Sequence, residues 1–312
     1  MLYPILFALS LAFIYFGTGC AAVGPSSSSS AAEIPPPPVA APEGFRWVLN
    51  EPLSDEFDGT ELDRDKWLDH YPGWEGRVPG KFVPESISVK DGMLQIRSHI
   101  LDEPQGDEGQ WTIGCGAIQS KSMTAHYGYY EAHIKTSNVR TSTTFWMKND
   151  RGPKPERTFK ITELDVMEAV GNAGRWPSFA TQMKSNTHIE YFTEGGDEPV
   201  NLKKGGGSNL PDGGKSYDRF RTYACWWVDA NTMHFYVDGQ LMHTVEPSTE
   251  LDPSPMDLPM FINAVCEIYT WELPPVEANL RDDSRNTSYY DFIRSWKLEP
   301  VEAEADRSES RY

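Results

Sequence analysis

The chain has 312 residues, 39% of them apolar and 12% aromatic, with 25 Gly and 24 Pro. That is enough for a sizeable core, and the absence of sustained heptads excludes a helical bundle. Forty-six acids against 28 bases give a net charge of −18, which repels nucleic acid and anionic membranes and excludes both as partners.

Residues 2–16 are apolar apart from Ser10 and lead into Gly17-Thr18-Gly19-Cys20. A run of this length suits a signal-peptide core and is short for a membrane span. It resembles the bacterial lipoprotein signal, in which the cysteine is lipidated and becomes the new N-terminus. An ordinary signal peptide or an uncleaved anchor are the alternatives. Either way the protein is expected to be exported, with the lipid as its one link to the outer membrane or cell surface. Residues 26–30 are all Ser and 35–38 all Pro, a composition that forms a tether and no core. The expected division is a lipoprotein-type signal over 1–20, a tether over 21–43, one folded domain over 44–300, and an acidic tail over 301–312.

Within the domain, strand signals recur at short intervals: 86–89, 93–97, 127–136, 143–148, 220–228, 233–237, 241–245 and 289–297. Asp91-Gly92 and Asp238-Gly239 stand between successive runs as hairpin turns. Many short strands with such turns predict an all-β sandwich or barrel. Two segments, 69–84 and 195–214, are too long to be plain connections and are expected to wall a cleft. The cysteines at 20, 115, 225 and 266 form no disulfide framework and no zinc spacing. With Cys20 assigned to processing, a Cys225–Cys266 bridge and buried free thiols both remain open.

The chemistry concentrates in Ile161-Thr162-Glu163-Leu164-Asp165-Val166-Met167-Glu168. Spacing alone is weak, since three acids at these offsets arise about once by chance in such a chain. Glu56, Asp58 and Glu61 repeat the pattern. Context decides. Glu163 and Asp165 alternate with Leu164 and Val166, as in a strand with one polar and one buried face. Glu168 has the wrong parity for the acid face, and a one-residue bulge would restore it. Crowding of like charges then raises at least one pKa, which a general acid requires.

The run Glu163-x-Asp165-x-x-Glu168 resembles the bulged active-site motif of glycoside hydrolase family 16. Ordered landmarks extend the resemblance over most of residues 45–299. They include Ser54-Asp55-Glu56-Phe57, Lys90-Asp91-Gly92-Met93-Leu94, Gly128-Tyr129-Tyr130-Glu131-Ala132, Thr144-Phe145-Trp146-Met147 and Asp291-Phe292-Ile293-Arg294. The resemblance implies a two-sheet antiparallel β-jelly roll, concanavalin-like, with a carbohydrate cleft on its concave face. It implies that the domain over 44–300 is catalytic, with Glu163 as nucleophile, Glu168 as acid/base, and Asp165 between them tuning the nucleophile. The reaction implied is endo-acting hydrolysis with retention by a monomer, with no cofactor for catalysis.

Gly73-Trp74-Glu75-Gly76-Arg77-Val78-Pro79, Ser142-Thr143-Thr144-Phe145-Trp146 and Glu267 followed by Trp271 look like the agarase–porphyranase branch of that family. The implied substrate is then a red-algal galactan cut at its β-1,4 linkages. Within the branch, Trp74, Arg77 and Arg140 are expected to hold the sulfate of porphyran, whose planar recognition suits arginine. Without that set, neutral agarose is the alternative substrate. Trp146 is expected to stack on the sugar nearest the cleavage point, and His188, Glu267 and Trp271 to contact substrate. The resemblance also implies a structural calcium held by Glu56, the Gly92 backbone and Asp291. A non-catalytic carbohydrate-binding jelly roll is the competing class; it would lack one of the acids, and all three are present.

Overall fold

The first strand, Phe45–Leu49, and the last, Thr287–Pro300, bracket the region rich in strand signals. In the computed structural model, which describes residues 34–149, 160–192 and 198–301, the strands form one sheet of 8 and one of 10. α-Helix among the described residues is confined to Ser178–Thr181 and Glu277–Leu280. The expected two-sheet, all-β architecture is therefore the one formed.

Local rules explain most of the strands. Met93–Arg97 buries Leu94 and Ile96 and leaves alternate residues more open. Its hairpin partner, Ile87–Lys90, is joined through Asp91 and Gly92 at φ 56 and 71. Asp238 and Gly239 repeat this at φ 50 and 78 between Thr232–Val237 and Gln240–Val245. Two consecutive left-handed residues give a hairpin turn whose twist matches the strands, which is why Asp-Gly marks both places.

The strand Lys160–Val170 lies between Ser142–Lys148 and Gln182–Tyr191 in the 10-stranded sheet. Its Leu164, Val166 and Met167 enter the core with Tyr130, Trp227, Phe235 and Tyr290 from the 8-stranded sheet. Each such side chain contributes about 1.5–3 kcal/mol by leaving water. One face of the acid strand is thus committed to the core, which fixes its register.

One expectation needs correction. The described part of segment 195–214 is not a plain loop: Val200–Asn209 is an edge strand paired with Gln182–Tyr191. It is mostly exposed and polar, so it carries no apolar alternation. Its Gly205 answers to close approach, since a Cβ there would lie 2.4 Å from Asn186 Oδ1. Segment 69–84 carries the two short strands Gly76–Arg77 and Gly80–Phe82 and, as expected, walls a cavity through Tyr71, Gly73, Trp74 and Arg77. Within the expected tether, Pro37 is buried and the Trp47 indole donates to the Val39 carbonyl (2.7 Å).

Cys115, Cys225 and Cys266 are buried free thiols. Cys20, the signal over 1–20 and residues 302–312 lie outside the described residues. Among the described residues no helix is long and apolar enough to cross a membrane.

Candidate active site

The bulge required by the parity of Glu168 is present. Against Ser142–Lys148, Trp146 faces Asp165 and Phe145 faces Met167, so Val166 is the extra residue. Against Gln182–Tyr191, Asn186 faces Asp165 and Lys184 faces Glu168, with two residues opposite Ser185. Val166 and Met167 both enter the core, and Glu168 returns to the face of Glu163 and Asp165. A bulge leaves backbone groups without ladder partners. Here the buried Ser185 hydroxyl donates to the Val166 carbonyl (2.9 Å) and supplies one.

The three acids line a cavity of about 290 Å³ together with Trp74, Arg77, Thr144, Trp146, Lys148, Glu267 and Tyr269. Lys148 stands opposite Glu163 in register, its Nζ 3.0 Å from Glu163 Oε2. Tyr269 donates its hydroxyl to Glu168 Oε1 (2.8 Å). His188 stands opposite Glu163 on the other neighbouring strand, its Nε2 3.6 Å from Asp165 Oδ2.

Burial raises the pKa of Glu168, the Glu163 charge adds to the rise, and the Tyr269 hydrogen bond opposes it. Asp165 is pushed well above the usual carboxylate range by burial, then by Glu168 and Glu163, with Lys148 offsetting part. Burial also lifts Glu267 to about 8, against the pull of Arg77 and with help from Glu168 and Glu163. At Lys148 burial favours the neutral amine, but the Glu163 carboxylate outweighs it and raises the ammonium pKa. One strand face thus carries a carboxyl biased toward its protonated form beside a carboxylate with a cationic partner. An acid biased toward its protonated form can supply the proton that a leaving group requires.

Trp74 and Arg77 come together. The Arg77 guanidinium lies 5.1 Å from the Trp74 ring centre and 5.8 Å from that of Tyr269. It is also hydrogen-bonded and ion-paired to the buried Glu267. Trp146 lines the cavity while 8% exposed, and it stacks on Tyr71 at 5.7 Å with 3° between the planes. It therefore serves cavity wall and core at once.

Other positions fall elsewhere. Arg140 does not line this cavity: it precedes the strand Ser142–Lys148, and its Nη1 donates to the Pro274 carbonyl (3.3 Å). Of the three residues expected to hold a sulfate, Trp74 and Arg77 share this cavity and Arg140 lies by Gly174 and Pro274. Trp271 is one ring removed from the cavity, stacked on Tyr269 at 4.5 Å. Of the calcium positions, Glu56 is forked by Arg294, with Nε at 2.8 Å and Nη2 at 2.7 Å. Asp291 Oδ2 faces His133 Nδ1 at 2.9 Å, and Gly92 sits in its hairpin turn. Calcium needs about six to eight oxygen ligands, and carboxylates engaged in this way do not fit that demand. Lys148 and Tyr269 were not among the expected site residues. Lys148 directly follows Thr144-Phe145-Trp146-Met147 and meets Glu163 through strand register, whereas Tyr269 lies between Glu267 and Trp271, beyond the end of the strand Phe261–Cys266.

The profile of the β-porphyranase A–D, GH16 domain matches residues 47–298. β-Porphyranase E of Zobellia galactanivorans is 45% identical over 84% of this chain and 91% of its own. The crystal structure of the β-porphyranase BpGH16B from the human gut bacterium Bacteroides plebeius matches with a TM-score of 0.74 at 38% identity. It covers 85% of this chain and 96% of that one. A β-agarase of Phocaeicola plebeius is 28% identical over 95% of this chain and 99% of its own. With the bulged acid strand and the two-sheet fold, these likenesses establish that the chain belongs to glycoside hydrolase family 16, in its β-porphyranase A–D group of retaining glycosidases.

Proposed function

We propose that the protein is an endo-acting hydrolase of porphyran that cuts β-1,4 linkages by double displacement. One observation carries this: Glu163, Asp165 and Glu168 share a cavity with Trp74 and Arg77. In the first half-reaction Glu168 protonates the departing glycosidic oxygen while Glu163 attacks the anomeric carbon. The glycosyl–oxygen bond breaks as the Glu163 ester forms. Glu168, now a carboxylate, then takes a proton from water, which attacks the same carbon and releases Glu163. Retaining catalysis needs these carboxyls about 5–5.5 Å apart, and the bulge turns both toward the same cavity. Asp165 sits between them and tunes the nucleophile. Trp146 and Trp74 wall the sugar, and Arg77 gives a planar partner to a sulfate.

The neutral-substrate alternative has its own supporting observation. Arg77 is already held by Glu267, and Arg140 lies outside the cavity; a neutral galactan would leave both undisturbed. The purified protein should release new reducing ends from porphyran, as a ladder of oligosaccharides, and far fewer from agarose or laminarin. A reversed order would replace porphyran with agarose. No release from any of the three would favour a binding module.

We further propose an exported lipoprotein acting as a monomer, supported by the apolar run ending at Cys20. The extracellular agarase of Streptomyces coelicolor, 27% identical, supports the export. Cys20→Ala should move the protein from the membrane fraction to the soluble fraction.

A further inference from the structure

An aromatic row continues outward from the acid/base. Tyr269, bonded to Glu168, stacks on Trp271. Trp271 meets Phe179 at 4.7 Å between ring centres. The Phe179 N–H donates to the Trp176 carbonyl (2.9 Å), and the Trp176 side of this turn opens to solvent with 53% of the residue exposed. A single exposed apolar residue is ordinary. This one differs in its mounting.

Glu272, 5% exposed, accepts the backbone N–H groups of Gly174 (3.1 Å), Arg175 (2.7 Å), Trp176 (3.3 Å) and Leu273 (2.6 Å). A buried carboxylate with four backbone donors is a strong, directional joint. Burial alone would raise its pKa, yet these donors hold it below the usual range. Arg140 braces the same turn: a Cβ on Gly174 would come within 3.1 Å of its Nε, an atom that among the described residues has no hydrogen-bond partner. The indole is thus presented by two locked loops, one following the acid strand directly and the other carrying Tyr269 and Trp271. A ring fixed before its ligand arrives gives up little entropy on binding.

We propose that Trp176 is the platform of a remote sugar subsite, on which a pyranose of the polysaccharide stacks after the chain has passed Glu168. The inference rests on the proposed function and extends it. Continuity with the cavity through Tyr269, Trp271 and Phe179 points to the same ligand as the cavity holds. A galactan is the class expected, and the cations around the row suit a sulfated one. Arg140 and Arg175 belong to this corner, and Lys184 Nζ lies 5.3 Å from the centre of the Phe179 ring.

The test is calorimetric titration of Glu163→Gln protein, which binds without turnover, with porphyran oligosaccharides of two lengths. Adding Trp176→Ala should weaken a long oligosaccharide about tenfold, the scale of an aromatic anchor, and leave the shortest binder unchanged. Trp176→Phe should keep most of the affinity, and Tm should not move, because the indole is exposed. No loss with the long chain, or equal loss with both lengths, overturns the subsite. Should porphyran oligosaccharides fail to bind the parent Glu163→Gln protein, the porphyran assignment falls. The same length dependence is then read with neutral agaro-oligosaccharides, and failure of both series to bind overturns the subsite as well.

Discussion

Lys148 and Tyr269 each engage one of the two carboxyls proposed to react. Tyr269 donates to Glu168 and so stabilises its charged form, holding down a pKa that burial raises. As the proposed acid, Glu168 must be protonated, so activity is expected to fall as pH rises through its pKa. Tyr269→Phe removes the opposing hydrogen bond, and the basic limb of the kcat/KM profile should move to higher pH. An unmoved or lowered limb would contradict this account of Glu168. Lys148 gives Glu163 a charge-assisted partner at 3.0 Å, a contact worth about 1.5–3 kcal/mol when one member is charged. Lys148→Met should therefore cost roughly tenfold to a hundredfold in kcat/KM, and Lys148→Arg should recover much of it; steady-state rates decide. The acids themselves were legible in the sequence, although their spacing was not what revealed them, since Glu56, Asp58 and Glu61 share it. The parity of Glu168 carried the information. Lys148 and Tyr269 were not legible, because neither contact follows from local sequence: the first depends on which strand lies beside the acids, the second on where the chain runs after Phe261–Cys266.

At the scale of the element, the acid strand works because a bulge turns an odd separation into a shared face. Ser185 is its keystone. Ser185→Ala would leave the Val166 carbonyl buried without that donor, at about 1–3 kcal/mol and a Tm lower by a few degrees. If the bulge also aims Glu168, kcat should fall while KM is kept, and Ser185→Thr should restore both; a lower Tm with unchanged kcat would make Ser185 structural only. Strands were readable where one face was buried and the other open, as in Met93–Arg97. Gln182–Tyr191 also alternates but was not legible, because Ser185 and Thr187 sit on its buried face and mask the apolar pattern, and two others were unreadable in opposite circumstances. Phe261–Cys266 is buried throughout, so it has no alternation to detect. Val200–Asn209 is an edge strand, largely exposed, with three consecutive glycines, so its pattern reads as loop. Arg140 is grouped with Trp74 and Arg77 by the family resemblance alone; it precedes Ser142–Lys148 and does not line their cavity.

Across the whole molecule, charge sets a problem that the cavity does not solve by itself. The chain carries a net charge of −18, and a sulfated galactan is a polyanion, so their approach is opposed at long range. Inside the cavity four carboxyl groups, Glu163, Asp165, Glu168 and Glu267, stand with two cations, Lys148 and Arg77. Each of those cations is already paired with an acid. Local attraction is therefore short in reach, acting only once a sulfate is beside Arg77 or the outer cations. The long-range repulsion extends about 30 Å at 0.01 M salt but only about 8 Å at 0.15 M. Screening should thus remove more repulsion than attraction over that range. For porphyran, kcat/KM should rise between those two salt concentrations, chiefly through faster association. For a neutral agaro-oligosaccharide it should stay flat. A fall with salt on porphyran would mean that the cleft itself projects a positive field, and the pairing of Arg77 with Glu267 would then have to break before substrate arrives.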